Sequence, residues 1–134
     1  MLIKKINIKD TPFSSELVRD YIGSEKLNSF FSYKNQLDNY KNIIKKRSSF
    51  SLKKRDLLFN VLNSQYNGIS DIGSVLDSIE KLKNKNTFTV TTGHQLCLNT
   101  GPLYFIYKIL HTIKLCVELS KTYKEFNFIP VFWM

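Results

Sequence analysis

The spacing of apolar residues predicts that most of the chain before residue 87 is helical. Apolar positions recur every three or four residues there, which is the spacing of one face of an α-helix. The predicted helices cover residues 15–21, 36–46, 52–66 and 70–82. Either Ser14 or Ser15 is suited to cap the first of these helices, and Ser70 the last. Residues 1–86 are therefore interpreted as a helical lead-in to the rest of the chain.

Two later runs have the composition of β-strands. Residues 87–91 are β-branched or aromatic, and residues 128–134 are almost entirely apolar, as in strands buried on both faces. Between them, Pro102 is suited to the first position of a helix that runs to about Thr122. The main apolar stripe of this helix is expected to be buried and consists of Leu103, Ile106, Tyr107, Leu110, Ile113 and Val117. Ile109 and Cys116 widen the stripe, so we expect the helix to be covered on most sides.

The order strand, helix, strand at residues 87–134 predicts a parallel βαβ unit and therefore an α/β fold. Two parallel strands do not make a covered sheet, and the last apolar strand has no partner for its outer edge. We therefore expect the chain to be one portion of a larger domain with an incomplete sheet.

The charge of the chain raises the possibility of a nucleic-acid partner, but only weakly. Twenty basic residues against eleven acidic ones give a net charge of +9, and basic side chains neutralise phosphates. Seventeen of the twenty are lysines, whereas readout of bases favours arginine. The densest basic runs, at residues 45–47 and 53–55, are interpreted as solvated helix surface. A small basic nucleic-acid-binding protein or a protein-interaction module remains the alternative function, and no nucleic-acid partner is expected.

The two cysteines, Cys97 and Cys116, do not form a disulfide framework, and no His or Cys pair has the spacing of metal ligands. No metal is therefore expected. The first ten residues lack the apolar core of a signal peptide, and no apolar run is long enough to cross a bilayer. The expected location is the reducing cytoplasm, without a membrane partner.

Candidate chemistry lies in the loop between the first strand and the long helix. In open α/β sheets ligands bind at the carboxyl ends of the strands, and a helix start attracts anions. Gly93 and Gly101 permit a tight turn or a close approach at the two ends of this loop. Cys97 lies in the same loop, but no orienting base is evident, so it is interpreted as packing rather than as a nucleophile.

His94 could donate to an anion or carry a proton, and Gln95 could orient a substrate. Tyr104 and Lys108 lie one turn apart on the helix and can face the same side. Each of these residues also has a purely structural interpretation, as a turn residue, a packed aromatic ring or a lysine whose stem covers apolar surface.

Residues 91–108, TTGHQLCLNTGPLYFIYK, resemble the signature TGxQxxLxTGPLYxIYK of the BshC family, the proposed cysteine ligases that complete bacillithiol synthesis. Residues 130–134 resemble the PVFWM strand that in this family leads into an acidic motif of the EDHD type. The chain ends before that motif, so it is expected to be an N-terminal fragment. Cys97, Leu98 and Asn99 depart from the small-residue and Gly-Leu-Phe character expected between Gln95 and Thr100.

The resemblance implies a Rossmann-like core in a cytoplasmic enzyme that joins cysteine to glucosaminyl-malate. It also implies a coiled-coil region further along the chain, through which the full-length protein would form a homodimer. The isolated fragment is expected to be inactive. ATP or ADP is the candidate nucleotide, with the activation step left open.

The site hypothesis combines the resemblance with the loop. Gly93, Thr100, Gly101 and the helix start would hold an anionic group, while other side chains touch substrate or nucleotide, with His94 as the candidate catalytic residue. The complete set is Thr92, Gly93, His94, Gln95, Thr100, Gly101, Tyr104 and Lys108.

Overall fold

The computed structural model describes residues 4–97 and 101–133. The chain divides into two compact units, residues 1–40 and 41–134. In the first unit, α1 (Glu16–Gly23) is capped by Ser15, whose hydroxyl accepts a hydrogen bond from the Val18 amide. Short 3-10 helices lie at Ile8–Asp10, Asn28–Phe30 and Leu37–Asn39. None of the described apolar side chains of this unit is fully buried, so its segments are held mainly by local contacts.

Three helices precede the sheet: α2 (Tyr40–Arg47), α3 (Leu52–Gln65) and α4 (Gly73–Lys81). Ser51 caps α3 by accepting a hydrogen bond from the Lys54 amide. The helix predicted at residues 36–46 is confirmed over its larger part by α2, and its first residues form the 3-10 helix Leu37–Asn39. The predicted cap of α4 at Ser70 is wrong, because the helix starts after Ile72, which makes no side-chain capping bond.

The second unit contains the predicted parallel βαβ arrangement. Strands β1 (Thr87–Gly93) and β2 (Asn127–Trp133) pair in parallel, with Thr87 opposite Asn127 and Gly93 opposite Trp133. The connecting helix, α5, runs from Leu103 to Thr122. The described residues thus form a two-stranded parallel sheet preceded by helices, which confirms the α/β class and the incomplete sheet. The division into a lead-in and a βαβ unit within one catalytic domain stays a prediction.

A proline lies in the middle of β2 without disturbing the pairing of the two strands. The Asn127 amide donates to the Asn86 carbonyl, and the His94 amide donates to the Trp133 carbonyl at 3.1 Å. Because bonding groups alternate along a strand, the position of Pro130 directs its backbone away from β1. Its missing N–H therefore removes no hydrogen bond between β1 and β2.

Helix α5 packs on the sheet with a different face from the one predicted. The side chains of Thr112, Cys116 and Leu119 are buried, and Leu119 is completely inaccessible to solvent. The predicted stripe lies on the opposite side of the helix, where its six residues are 42–66% exposed. The prediction failed because α5 is apolar on two sides and the described sheet covers one of them. Strand β2 is likewise only partly covered, and Ile129 is its one buried side chain among residues 127–133.

Arg55 joins helix α3 to the start of the sheet. Its Nη1 donates to the carbonyls of Leu82 and Thr87, both at 3.0 Å, and its Nη2 donates to the Lys85 carbonyl at 3.3 Å. The guanidinium also lies over the Phe50 ring, 5.4 Å from the centroid. Arg55 is only 5% exposed, so its interpretation as solvated surface is wrong. One planar cation therefore fixes the path of the chain from α4 into β1.

Replacing Arg55 with Met is expected to lower the free energy of unfolding by about 2–4 kcal/mol, because three backbone carbonyls lose their donor and two of them belong to buried residues. Urea denaturation measures the change. The control is Arg47→Met, since Arg47 is exposed at the end of α2. Equal stability of the two variants would contradict the structural role given to Arg55.

Candidate functional site

The carboxyl ends of β1 and β2 meet the beginning of α5, and Gly93 makes their close approach possible. A Cβ atom added at Gly93 would lie 2.9 Å from the Trp133 carbonyl oxygen and 3.0 Å from its ring atom Cδ1. Real Cβ atoms essentially never come so close, so any side chain at this position would push the strands apart. The next residue, His94, continues the pairing through its amide, which fixes the start of the loop above the sheet.

The imidazole ring of His94 is held at both of its nitrogens. Its Nε2 lies 2.7 Å from the hydroxyl oxygen of Tyr104, and its Nδ1 lies 2.7 Å from the backbone carbonyl oxygen of Gln95. The ring meets Phe105 edge to face, with 5.5 Å between centroids, and Phe105 packs in the same way on Phe132 at 5.1 Å. His94 is therefore a half-buried ring with a fixed orientation rather than a mobile loop residue.

Lys108 brings a positive charge to the same place. Its Nζ donates a hydrogen bond to the Gly93 carbonyl and lies 5.9 Å from the centroid of the Tyr104 ring. The residue is half-buried on the side of α5 that faces the sheet. Because an ammonium group has three donors, one bond to Gly93 leaves capacity for an anionic ligand.

The turn before α5 requires glycine at residue 101. Gly101 has a φ of +65°, and a Cβ atom there would lie 2.5 Å from the Sγ atom of Cys97. Cys97 thus packs against the turn, although it is exposed overall. Pro102 is the residue before the helix rather than the predicted first helical residue, because its ψ of 152° is extended.

The structure brings together four of the predicted site residues: Gly93, His94, Tyr104 and Lys108. Gln95 contributes its backbone carbonyl, while its side chain is exposed. Thr92 lies under α5, where it lines a pocket of about 160 Å³ with residues of the helix and of β2. Gly101 shapes the turn, and Thr100 lies outside the described residues.

Two neighbours of the cluster were not predicted from the sequence. Trp133 lies against Gly93, and Phe105 packs on the His94 ring. Trp133 could have been identified from the parallel pairing of two equally long strands, because this pairing places the last residues of both strands side by side. No pattern in the sequence distinguishes Phe105 from its apolar neighbours on α5.

A sequence model described as the N-terminal Rossmann-like domain of the bacillithiol biosynthesis protein BshC matches residues 1–134. The chain belongs to the BshC family. This finding confirms the resemblance that residues 91–108 suggested and the Rossmann-like class of the fold.

Curated relatives in this family carry the provisional name cysteine ligase BshC. The chain is 42% identical to the protein of Flavobacterium johnsoniae over 131 residues, which are 96% of this chain and 25% of that protein. It is 39% identical to the Flavobacterium psychrophilum protein over 132 residues and 40% identical to the Christiangramia forsetii protein over 131 residues. The BshC chain thus spans about a quarter of the length of these relatives, in agreement with an N-terminal fragment.

The described part of the chain holds neither a candidate metal site nor a candidate membrane span. Residues 4–97 and 101–133 contain no group of three or more His, Cys, Asp or Glu side chains that could hold a metal ion. No helix within the same ranges is long and apolar enough to cross a membrane. Cys116 is buried between α5 and the sheet, and burial raises the pKa of its thiol to about 11.

The two cysteines are expected to differ in reactivity. At pH 8 the Cys116 thiol stays protonated, because its raised pKa lies well above this pH, and it is also shielded from solvent. Alkylation with iodoacetamide followed by peptide mass spectrometry should therefore modify Cys97 first and Cys116 only after denaturation. Rapid labelling of Cys116 in the native protein would contradict its packing.

Replacing Gly101 with Ala is expected to lower the free energy of unfolding by about 1–2 kcal/mol, because alanine is strained at positive φ and its Cβ meets Cys97. The additional change Cys97→Ala should restore part of this loss by removing the sulfur atom. Gly73→Ala is the matched control, since Gly73 has open space around it and no positive φ. Urea denaturation compares the variants, and equal losses at residues 73 and 101 would contradict the strained turn.

Proposed function

We propose that this chain supplies the substrate-holding edge of a ligase that joins cysteine to glucosaminyl-malate in the last step of bacillithiol synthesis. The observation that carries the proposal is the cluster of His94, Tyr104 and Lys108 at the carboxyl ends of the two strands, in a member of the BshC family. Such edges are where open α/β sheets bind ligands. The likeness to proteins named cysteine ligases supports the reaction class.

The charge around the cluster suits an anionic substrate. Residues 92–110 contain no Asp or Glu, while Lys108 adds a positive charge and the start of α5 adds the partial positive charge of a helix N-terminus. Glucosaminyl-malate is a carboxylate, and a nucleotide carries phosphates, so either would find the same complementary charge here. We propose that Gly93, Thr100, Gly101 and the helix start hold this anionic group, and that Thr92 belongs to the same site.

The hydrogen-bond donors at the cluster also suit the phosphates of ATP or ADP. In such a ligase the nucleotide would activate a carboxyl group, so that one of its oxygens could leave. The residues of this chain would bind and orient. Lys108 would hold a negative charge from a position fixed by the Gly93 carbonyl, and Gln95, whose side chain is exposed, would contact the substrate. The His94 and Tyr104 pair would carry a proton.

The remaining parts of the proposal concern the whole protein. We propose that it acts in the cytoplasm as a homodimer, formed through a coiled-coil region beyond residue 134. The isolated chain is proposed to be inactive, because it spans a quarter of the length of the full ligases. Ligase activity in a purified protein of residues 1–134 would contradict the proposal that the isolated chain is inactive.

The site is tested in a full-length ligase that carries these 134 residues. Lys108→Met is expected to lower kcat/KM about 10- to 100-fold, the typical effect of losing a hydrogen bond to a charged group. Lys114→Met is the matched control, because Lys114 is exposed on the same helix. Liquid chromatography with mass spectrometry measures bacillithiol formation. Equal activity of the two variants would place the substrate elsewhere.

A further inference from the structure

The contacts of His94 determine which of its nitrogens carries the proton in the neutral ring. Nδ1 lies 2.7 Å from the Gln95 carbonyl oxygen, which can only accept a hydrogen bond. Nδ1 must therefore be the donor, and in the neutral imidazole Nε2 then has a free lone pair. This assignment follows from the backbone partner.

The partner of that lone pair is Tyr104. Its hydroxyl oxygen lies 2.7 Å from Nε2, so the phenol donates its proton to the ring. His94 is half-buried against Phe105, whereas Tyr104 is 55% exposed. Of the two groups, the phenol is therefore the more accessible to a substrate, and the imidazole lies behind it as a proton acceptor.

We propose that Tyr104, rather than His94, is the catalytic residue that takes the proton from the attacking amine, and that His94 acts through it as a positioning residue. The inference rests on the proposed function and names the acid-base pair of that site. His94 donates a hydrogen bond from Nδ1 to the Gln95 carbonyl and accepts one at Nε2 from the Tyr104 hydroxyl. During the reaction the phenolic proton therefore moves from Tyr104 to His94.

The proposed step is balanced within the amide-forming reaction. The lone pair of the cysteine amine forms a C–N bond to an activated acyl carbon, and the bond from that carbon to its oxygen leaving group breaks, with the electron pair leaving on oxygen. The proton of the amine moves to the Tyr104 oxygen as the phenolic proton moves to Nε2 of His94. The proton on Nε2 then returns to the Tyr104 oxygen as the exposed phenol releases a proton to water, which restores the starting pair.

Lys108 is a titratable neighbour of the pair. The described strand residues 87–93 and 127–133 carry no titratable side chains. From α5, the groups that reach this corner are Tyr104 itself and Lys108, whose Nζ is bound to the neighbouring Gly93 carbonyl.

The test compares Tyr104→Phe, His94→Gln and the double variant in the same full-length ligase. Both single variants should lower kcat by about 100-fold, the usual scale of general base catalysis, and change KM by less than about threefold. Since the residues act as a unit, the double variant should be no slower than either single variant. Tyr107→Phe is the control and should keep full activity, because Tyr107 is an exposed tyrosine three residues further along α5.

A measurement without turnover tests the same inference. Nitrogen-15 NMR of histidine in the full-length ligase should show the His94 ring as the Nδ1–H tautomer when neutral, with its signal identified from the His94→Gln spectrum. The Nε2–H tautomer would overturn the proposal, as would a Tyr104→Phe variant that raises only KM or keeps full kcat.

The outcomes separate this inference from the proposed function. Loss of activity in Lys108→Met with full activity in Tyr104→Phe would keep the site and reject the proton transfer. Full activity in both variants would reject the site itself, and the inference with it.

Discussion

The parallel pairing of β1 with β2 is the constraint on which the candidate site depends. Gly93 opposite Trp133 lets the carboxyl ends of both strands come together, and the His94 amide extends the pairing by one residue. The start of α5 lies above the same edge and carries Tyr104 and Lys108. The contacts of His94 with Tyr104 and of Lys108 with Gly93 follow from this arrangement, since one partner comes from the strand end or loop and the other from the helix.

The structure gives polar groups on α5 a defined place in an otherwise apolar interface. Lys108 lies on the sheet-facing side, and its charged end reaches a backbone carbonyl instead of bulk water. Thr112, one turn later, donates its hydroxyl proton to the Lys108 carbonyl at 2.8 Å, so the polar groups on this side of the helix are satisfied locally. The proposed site residue Lys108 and the packed residue Thr112 thus lie on the same face of α5.

Much of the architecture could be predicted from the sequence, because residues 87–91 and 128–134 have strand composition and a long helical periodicity lies between them. The face of α5 that packs on the sheet could not, since both sides are apolar and the stripe with more large side chains is the exposed one. The site residues were predicted from the loop and the signature, and the contact between His94 and Tyr104 required coordinates. Tyr104 lies ten positions after His94 in the chain, with the turn at Gly101 between them.

Arg55 has a further consequence for how this segment can change during evolution. Its three hydrogen-bond acceptors are main-chain oxygens, so the contact does not depend on which side chains occupy residues 82, 85 and 87. The side chains at those positions can be substituted as far as their own packing allows, without a compensating substitution of the arginine. A comparison of sequences that looks for correlated pairs would therefore miss this link.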